Sequence, residues 1–338
     1  MKAVGLLKYL PIENPESLLD LDLPKPQPQG RELLVAVRAI SVNPIDCKQR
    51  APKPKIEAQP RVLGWDASGV IEAVGPEVTL FKPGNEVFYA GDITRQGSNS
   101  EYQLIDERIV GHKPRKLSFA QAAALPLTAV TAWESLFDRL RISRTGLDRG
   151  KRLLVIGGAG GVGSIAIQLA KRIGRLTVIA TASRPETVAW CREMGADEVI
   201  DHRGDLAAQL KARGIDGAEY VFCCNDTDQH FPAFASVTLP QGTVCGIVDC
   251  ARPVDMTALK AKSIGFIWES MFTRSRFGTP DMVEQHKILN RIADLVDGGE
   301  IRSTLNAVLG RINAATLKQA HASVESGRSI GKLVLEGF

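Results

Sequence analysis

The chain has 338 residues, with 42 basic and 38 acidic side chains, a formal net charge of +4 and 44% hydrophobic residues. This composition is typical of a soluble globular protein, and the length predicts two domains. The charges are scattered without a long basic run, and no stretch is apolar enough for a signal peptide or a membrane span. We therefore expect no nucleic-acid partner, no membrane partner and a cytoplasmic location. Six cysteines without a C-x-x-C pair predict reduced thiols.

The first hundred or so residues predict a domain that is mostly β. The segments LLVAVRAI, GVIEAVG and EVFYAG are separated by Pro, Gly and Asn turns, and helical periodicity is nearly absent among them.

A glycine-rich stretch, RLLVIGGAGGVGSIAIQLAKRIG, follows at residues 152–174. Its start reads as a buried strand, and its end has apolar residues on one face of a helix, from Val162 to Ile173. Glycines at such a strand-to-helix turn let a pyrophosphate approach the unpaired N–H groups of the helix start. We expect the cofactor-binding turn to consist of Gly158, Gly160, Gly161, Val162 and Gly163. The alternative is a tight connection without a ligand.

Beyond this turn, strands alternate with helices. Strands are predicted at 176–181, 198–201, 218–224, 242–248 and 263–268, and helices at 185–194 and 205–213. This alternation predicts a parallel sheet of six strands, covered by helices on both faces. After Gly278 we expect two helices, at 281–296 and 314–325, and a last strand, GKLVLE, that returns to the first domain.

The predicted second strand of this sheet ends in Thr181-Ala182-Ser183-Arg184. An acidic residue here would accept from the ribose 2′-hydroxyl of NAD and would repel a 2′-phosphate. Ser183 and Arg184 can instead bind that phosphate, which favours NADPH. Alternatively, Ser183 caps the helix that begins at Pro185, and Arg184 is a solvated cation.

Six segments together resemble the medium-chain dehydrogenase/reductase superfamily, and within it the zinc-independent quinone oxidoreductases and the zinc-type alcohol dehydrogenase-like proteins. They are SVNPIDCKQR, RVLGWDASGVIEAVGPEV, FKPGNEVFYAG, ALPLTAVTAWESL, GGAGGVGSIAIQLAK and GRSIGKLVL. The resemblance implies an α/β protein: a GroES-like β-barrel catalytic domain joined to a Rossmann domain, a doubly wound parallel sheet, with a cleft between them. We expect the catalytic domain at 1–125, completed by 270–338, and the NADPH-binding domain at 126–269.

The resemblance also places further residues and a dimer. Thr131 would lie by the nicotinamide, Asn225 along the cofactor cleft, and Lys332 would reach the cofactor. The alternatives are a helix-capping threonine, a turn asparagine and a solvated lysine on an edge strand. Members commonly form homodimers by continuing the Rossmann sheet, and the apolar edge at 263–268 fits that arrangement.

Zinc-dependent members carry a cysteine, a histidine and a cysteine at the positions of Asn43, Trp65 and, approximately, Leu127. None of these three residues is a usual zinc ligand, so we expect no metal.

Without zinc, hydrogen-bond donors or water must stabilise the negative charge that a hydride leaves on oxygen. Asn43, Asp46 and Tyr89 are the catalytic candidates in segments that, by resemblance, border the substrate. Alternatively, Asn43 sets a turn, Asp46 caps the helix that follows it, and Tyr89 ends a strand. Substrates that are already electrophilic suit this chemistry, so we expect NADPH-dependent reduction of a small quinone or enone. The alternatives are an alcohol dehydrogenase or carbonyl reductase, and a non-enzymatic NADPH-binding protein.

Overall fold

The computed structural model describes residues 1–338. Its sixteen strands are β1 (Lys2–Tyr9), β2 (Leu19–Asp22), β3 (Glu32–Val42), β4 (Lys53–Val62), β5 (Ala67–Val74), β6 (Glu86–Tyr89), β7 (Tyr102–Asp106), β8 (Val110–His112), β9 (Arg152–Ile156), β10 (Thr177–Thr181), β11 (Glu198–Ile200), β12 (Ala218–Cys223), β13 (Thr238–Gly246), β14 (Gly265–Trp268), β15 (Leu305–Val308) and β16 (Lys332–Glu336).

Its ten α-helices are α1 (Pro44–Arg50), α2 (Phe119–Ala123), α3 (Pro126–Trp133), α4 (Gly161–Leu169), α5 (Pro185–Met194), α6 (Leu206–Lys211), α7 (Thr227–Val237), α8 (Thr273–Phe277), α9 (Glu284–Asp297) and α10 (Ala314–Glu325). Two π-helical turns, Glu134–Arg139 and Ala170–Gly174, continue α3 and α4. Single turns of 3₁₀ helix lie at Pro15–Ser17 and Glu107–Ile109, and a longer 3₁₀ segment spans Met256–Lys262.

The chain divides into two compact units, and the first comprises Met1–Val130 and Phe272–Phe338. It contains a three-stranded sheet in the order β2-β1-β4 and a larger sheet in the order β15-β16-β3-β5-β6-β8, with β7 also paired to β3. The last strand, β16, pairs antiparallel with β3, so the C-terminus returns to this unit as predicted. Side chains that alternate inward along β3 and β5 form much of its apolar core.

The second unit, Thr131–Met271, is built on a parallel sheet of six strands in the order β11-β10-β9-β12-β13-β14. This arrangement confirms the predicted sheet. Residues 153–156 of the central strand β9 are fully buried, as expected for a strand covered on both faces.

Several elements differ from the sequence-based expectation. The structure contains β4, which the periodicity does not indicate, and α1, which was expected only in the capping alternative for Asp46. β4 carries Pro54 and Pro60 and lies at the edge of its sheet, where missing N–H donors are tolerated. The helix after the glycine turn is regular only to Leu169, and the chain then widens into the π-helical turn.

No helix has both the length and the apolar character needed to cross a membrane. All six cysteines are free thiols, and four of them are buried. Strand β14 lies at one edge of the parallel sheet, and Trp268 at its end is half-exposed. The homodimer through this edge stays a prediction, as does the cytoplasmic location.

Candidate active site

The glycines of the turn after β9 have different structural roles. A Cβ atom on Gly158 would lie 2.8 Å from Ala180 Cβ, and one on Gly163 would lie 2.3 Å from the Gly157 carbonyl oxygen. Packing within the protein therefore requires glycine at both positions. A Cβ on Gly160 would meet only the Gly157 carbonyl oxygen, at 3.5 Å, and otherwise open space. The fold thus leaves room beside Gly160, where a bound pyrophosphate would approach the backbone.

Gly160 is also the N-cap residue of α4. The N–H groups of the first helical turn, which includes Gly161, Val162 and Gly163, have no partner within the helix and carry the positive end of its dipole. The Ser164 hydroxyl donates to the Gly160 carbonyl (2.7 Å) and accepts from the indole N–H of Trp190 (2.8 Å). This contact ties the start of α4 to α5, so the amides are held in position for an anionic group.

The structure brings Asn225 to the same turn. The Asn225 Cβ lies 3.2 Å from where a Cβ on Gly157 would be, and the Gly157 N–H donates to the hydroxyl of Thr181 at 3.0 Å. The ends of β10 and β12 thereby flank the glycines. Thr131 is buried within α3, and its predicted place beside the nicotinamide stays a prediction.

The end of β10 leads into the predicted ribose-binding residues. Arg184, not Ser183, is the N-cap residue of α5, and its N–H donates to the Thr187 hydroxyl at 3.1 Å. The alternative in which Ser183 caps this helix is therefore wrong. Ser183 and Arg184 are both partly exposed beside the end of β10.

A second cation, Arg203, lies beside Ser183, and it was not among the predicted site residues. One guanidinium nitrogen of Arg203 donates to the Ser183 carbonyl (3.0 Å) and to Asp201 (2.6 Å). Hydrogen bonding and charge from Arg203 lower the pKa of Asp201 to about 2. Asp201 and Arg203 follow β11, the parallel neighbour of β10, and the carboxyl ends of parallel strands share one sheet edge. The position of Asp201 and Arg203, at and just after the end of a predicted parallel strand, was the sequence signal that could have placed them near Ser183.

The first unit contains a buried charged cluster of Asn43, Asp66 and Lys332. The Lys332 ammonium donates to the Val42 carbonyl (2.8 Å) and to Asn43 Oδ1 (2.5 Å), and lies 3.1 Å from Asp66 Oδ2. Asn43 Nδ2 donates to Asp66 Oδ2 (2.8 Å), and the Leu127 N–H donates to Asp66 Oδ1 (2.7 Å). None of the three side chains is more than 3% exposed.

This cluster changes the roles predicted for two residues. Lys332 is not the solvated edge-strand lysine of the alternative, and its three donors are used by acceptors inside the protein. The Asn43 amide, expected to donate to a substrate, is held between Lys332 and Asp66 instead. Asp66 was not among the predicted site residues, although a carboxylate in the apolar run VLGWDASGV signals a buried partner.

Asp46 lies at the start of α1, next to this cluster. Asn43 is the N-cap residue of α1, and one Asp46 carboxylate oxygen accepts from the Asn43 backbone N–H at 2.7 Å. Asp46 therefore closes a capping box from inside the helix, whereas the alternative placed it before the helix. Burial is the main cause that raises the pKa of Asp46 to about 7, with the nearby Lys332 opposing the shift. No ion pair joins Asp46 to Lys48, which is exposed.

Tyr89 is the last residue of β6 and belongs to the apolar core of the first unit. It is 1% exposed, and its hydroxyl has no hydrogen-bond partner. Burial raises the pKa of this phenol well above its usual range, which opposes ionisation. The structure thus supports the strand-end alternative over a catalytic role for Tyr89.

The positions that carry zinc ligands in zinc-dependent members surround Asp66. Asn43 and the Leu127 N–H bond its carboxylate, and the indole N–H of the preceding Trp65 donates to the Asp92 carbonyl at 3.2 Å. A carboxamide, an indole and an aliphatic side chain do not ligate zinc. No group of three or more His, Cys, Asp or Glu side chains is arranged to hold a metal ion. The residues present therefore do not fit a catalytic zinc.

Comparison with known proteins agrees with this architecture. Residues 29–133 match the model of the alcohol dehydrogenase GroES-like domain, and residues 194–335 match that of zinc-binding dehydrogenases. A zinc-type alcohol dehydrogenase-like protein of Staphylococcus aureus (strain MSSA476) is 45% identical over 99% of both chains.

Two solved structures extend the comparison. A protein of the zinc-dependent alcohol dehydrogenase type from Rhizobium etli CFN 42 is 52% identical, with a TM-score of 0.95 over 100% of this chain and 98% of that one. The mycobacterial protein Rv1454c, solved with NADPH, is 28% identical, with a TM-score of 0.83 over 99% of this chain and 100% of that one.

The fold and the matches define an oxidoreductase with a GroES-like domain and a Rossmann domain. The chain belongs to the medium-chain dehydrogenase/reductase superfamily. This confirms the fold class and the family that the sequence motifs indicated, and the zinc in the names of its relatives is not matched by ligands at the corresponding positions here.

Proposed function

We propose that this protein is an NADPH-dependent oxidoreductase that reduces quinones or α,β-unsaturated carbonyl compounds without a metal. The observation that carries the proposal is the open backbone at Gly160, where the fold leaves space that no side chain of the protein fills. A bound nicotinamide dinucleotide would supply the hydride. The protein would hold the pyrophosphate at the first turn of α4 and the adenosine ribose beside Ser183.

The substrate class follows from the chemistry of the available side chains. The residues around Asp66 provide no Lewis acid, and their donors are satisfied within the protein, so they favour acceptors whose carbon is already electrophilic. Quinones and enones accept a hydride at such a carbon. An unactivated ketone or an alcohol would need the polarisation that zinc provides in other members.

A steady-state assay tests this function directly. Metal-stripped protein should oxidise NADPH with 9,10-phenanthrenequinone or a short enal, at a rate unchanged by added zinc. Activity that appears only with zinc, or only with alcohols, would overturn the metal-free reductase. NADPH binding without turnover across these substrates would favour a non-enzymatic binding protein.

The cofactor preference depends on the corner formed by Ser183, Arg184 and Arg203. Two guanidinium groups there can pair with a 2′-phosphate, and Arg203 also neutralises the nearby Asp201. Asp201 would otherwise repel that phosphate, and an unpaired Asp201 would instead suit the ribose hydroxyls of NADH. The preference for NADPH therefore depends on Arg203.

We expect Arg203→Gln to weaken NADPH use, raising the KM for NADPH roughly 10- to 100-fold because one charge-assisted contact is lost. The KM for NADH should stay within about twofold of the wild-type value. Arg192→Gln, on the exposed side of α5, is the matched control and should change neither value. An equal rise in both KM values for Arg203→Gln, or a wild-type preference for NADH, would contradict the assignment.

A further inference from the structure

We propose that one surface of the second unit docks the protein onto anionic phospholipid bilayers. We call this surface the arginine patch: Arg141, Arg144, Arg149 and Arg175, around Leu147. All five residues are exposed, with Leu147 at 87%. The proposal does not depend on the cofactor or the substrate.

Two separate segments build the patch. A Cβ on Gly146 would lie 3.4 Å from Arg175 Cδ, and the Gly150 N–H donates to the Arg175 carbonyl at 3.1 Å. The loop at 141–150 therefore lies beside Arg175, just before the start of β10. Both segments precede the amino ends of parallel strands, whereas the glycine turn follows the carboxyl end of β9. The patch thus lies at the amino ends of the parallel strands, and the glycine turn lies at their carboxyl ends.

The positive charge of the patch is not neutralised within the protein. The neighbouring carboxylates are used by other cations: Asp148 pairs with Lys151 (2.6 Å), and Glu219 lies 3.8 Å from Arg152. None of the four patch arginines has a carboxylate partner, and the contact made by Arg144 is with the face of the buried Trp133 ring. The four guanidinium groups therefore remain without ion-pair partners at the surface and give it a net positive charge, with Asp138, three residues before Arg141, the exposed acidic side chain nearest to them in the chain.

Leu147 is held outward by a defined loop. The adjacent Asp148 is buried and accepts from the Ser143 N–H (2.7 Å) and from the Tyr220 hydroxyl (3.2 Å). The Leu147 N–H is 3.4 Å from the Ser143 hydroxyl oxygen. These bonds fix the backbone on both sides of Leu147, so its exposure is a property of the folded loop.

This combination fits a lipid surface better than a protein or a nucleic acid. One leucine is too small an apolar core for a stable protein interface. Of the two rings beside the patch, Trp133 is buried, and Tyr220 donates to Asp148 and lies under the Lys151 ammonium (5.7 Å), so neither is free to stack on bases. Each arginine near an anionic bilayer strengthens binding roughly fivefold, and an inserted leucine strengthens it further. The expectation of no membrane partner relied on the absence of an apolar span and of a basic run, and neither criterion detects a patch assembled in the folded protein.

Co-sedimentation with vesicles tests the proposal. The wild-type protein should pellet with phosphatidylcholine vesicles that contain about 30% phosphatidylserine, should release in about 1 M salt, and should not pellet with phosphatidylcholine alone. Failure to pellet with the anionic vesicles at low salt would overturn the proposal. Equal binding to both vesicle types would overturn it too, as would binding to duplex DNA or to an acidic protein in place of vesicles.

Variants distinguish an effect of the patch on vesicle binding from an effect of the net charge of the protein. Arg144→Gln, Arg149→Gln and Arg175→Gln combined should weaken vesicle binding roughly 100-fold, and Leu147→Ser alone roughly tenfold. The control combines Arg192→Gln, Lys211→Gln and Lys260→Gln, which removes the same charge from exposed sites elsewhere on the unit and should retain binding. Equal loss in the control would show a non-specific effect of charge and would overturn the proposal. Thermal unfolding of each variant should match that of the wild type, because all the substituted side chains are exposed.

Discussion

Gly160→Ala should abolish most NADPH binding while leaving the fold intact. The new Cβ meets only one protein atom, at an ordinary contact distance of 3.5 Å, and Gly160 has a φ of −73° that alanine adopts readily. The methyl group would instead occupy the space through which a pyrophosphate reaches the α4 amides. Loss of these charge-assisted contacts corresponds to roughly 10- to 100-fold weaker binding, measurable by calorimetric titration with NADPH.

Two further glycine variants make this result specific. Gly163→Ala forces a Cβ to 2.3 Å from a backbone oxygen, so we expect it to lower the stability of the second unit by about 1–3 kcal/mol as well as NADPH binding. Gly265→Ala introduces the same methyl group at ordinary contact distance on β14 and should alter neither property. If Gly160→Ala binds NADPH as tightly as the wild type, the open space at this turn is not the phosphate site.

Lys332→Met should destabilise the first unit by about 3–5 kcal/mol at pH 8, because it leaves the Asp66 carboxylate buried without its countercharge. The loss should shrink at pH 5. Burial already raises the pKa of Asp66, and removal of Lys332 would raise it further, so a protonated Asp66 can fold without a cation.

The wild-type protein should show the same direction of pH dependence from Asp46. Its pKa is about 7 in the folded state against the usual 3.8, so the folded state holds a proton that the unfolded chain has released between these values. Unfolding therefore releases a proton in this window, and the contribution of Asp46 to stability falls as the pH rises from about 4 to about 7.

Denaturant titrations with pulsed hydrogen exchange would measure these effects for each unit separately. Peptides from β3 and β5 report on the first unit, and peptides from β9 provide an unaffected reference. Lys113→Met is the matched control: Lys113 is also a buried lysine, but its partner Glu86 is half-exposed and can be solvated. We expect the control to lose only about 1 kcal/mol. Similar losses for both lysines would contradict a buried charge pair at Asp66.

Much of the architecture could be predicted because it depends on local periodicity. The apolar run of β9, the glycine spacing and the helical face after Val162 are properties of neighbouring residues, and together they indicated a nucleotide-binding turn. The edge strand β4 escaped prediction because its prolines and charges oppose a strand everywhere except at a sheet edge.

The sequence by itself determined the parallel sheet, the glycine turn, the family and the absence of zinc ligands at the expected positions. Each of these depends on which residue types occur at short spacing along the chain. Only the tertiary structure decided that Lys332 is buried against Asn43 and Asp66, that Arg203 meets Ser183, and that Arg175 joins the loop at 141–150. These contacts join residues that are distant in the chain. Burial then decides their chemistry, because a charge removed from water must find a partner, and periodicity carries no information about which partner the fold supplies.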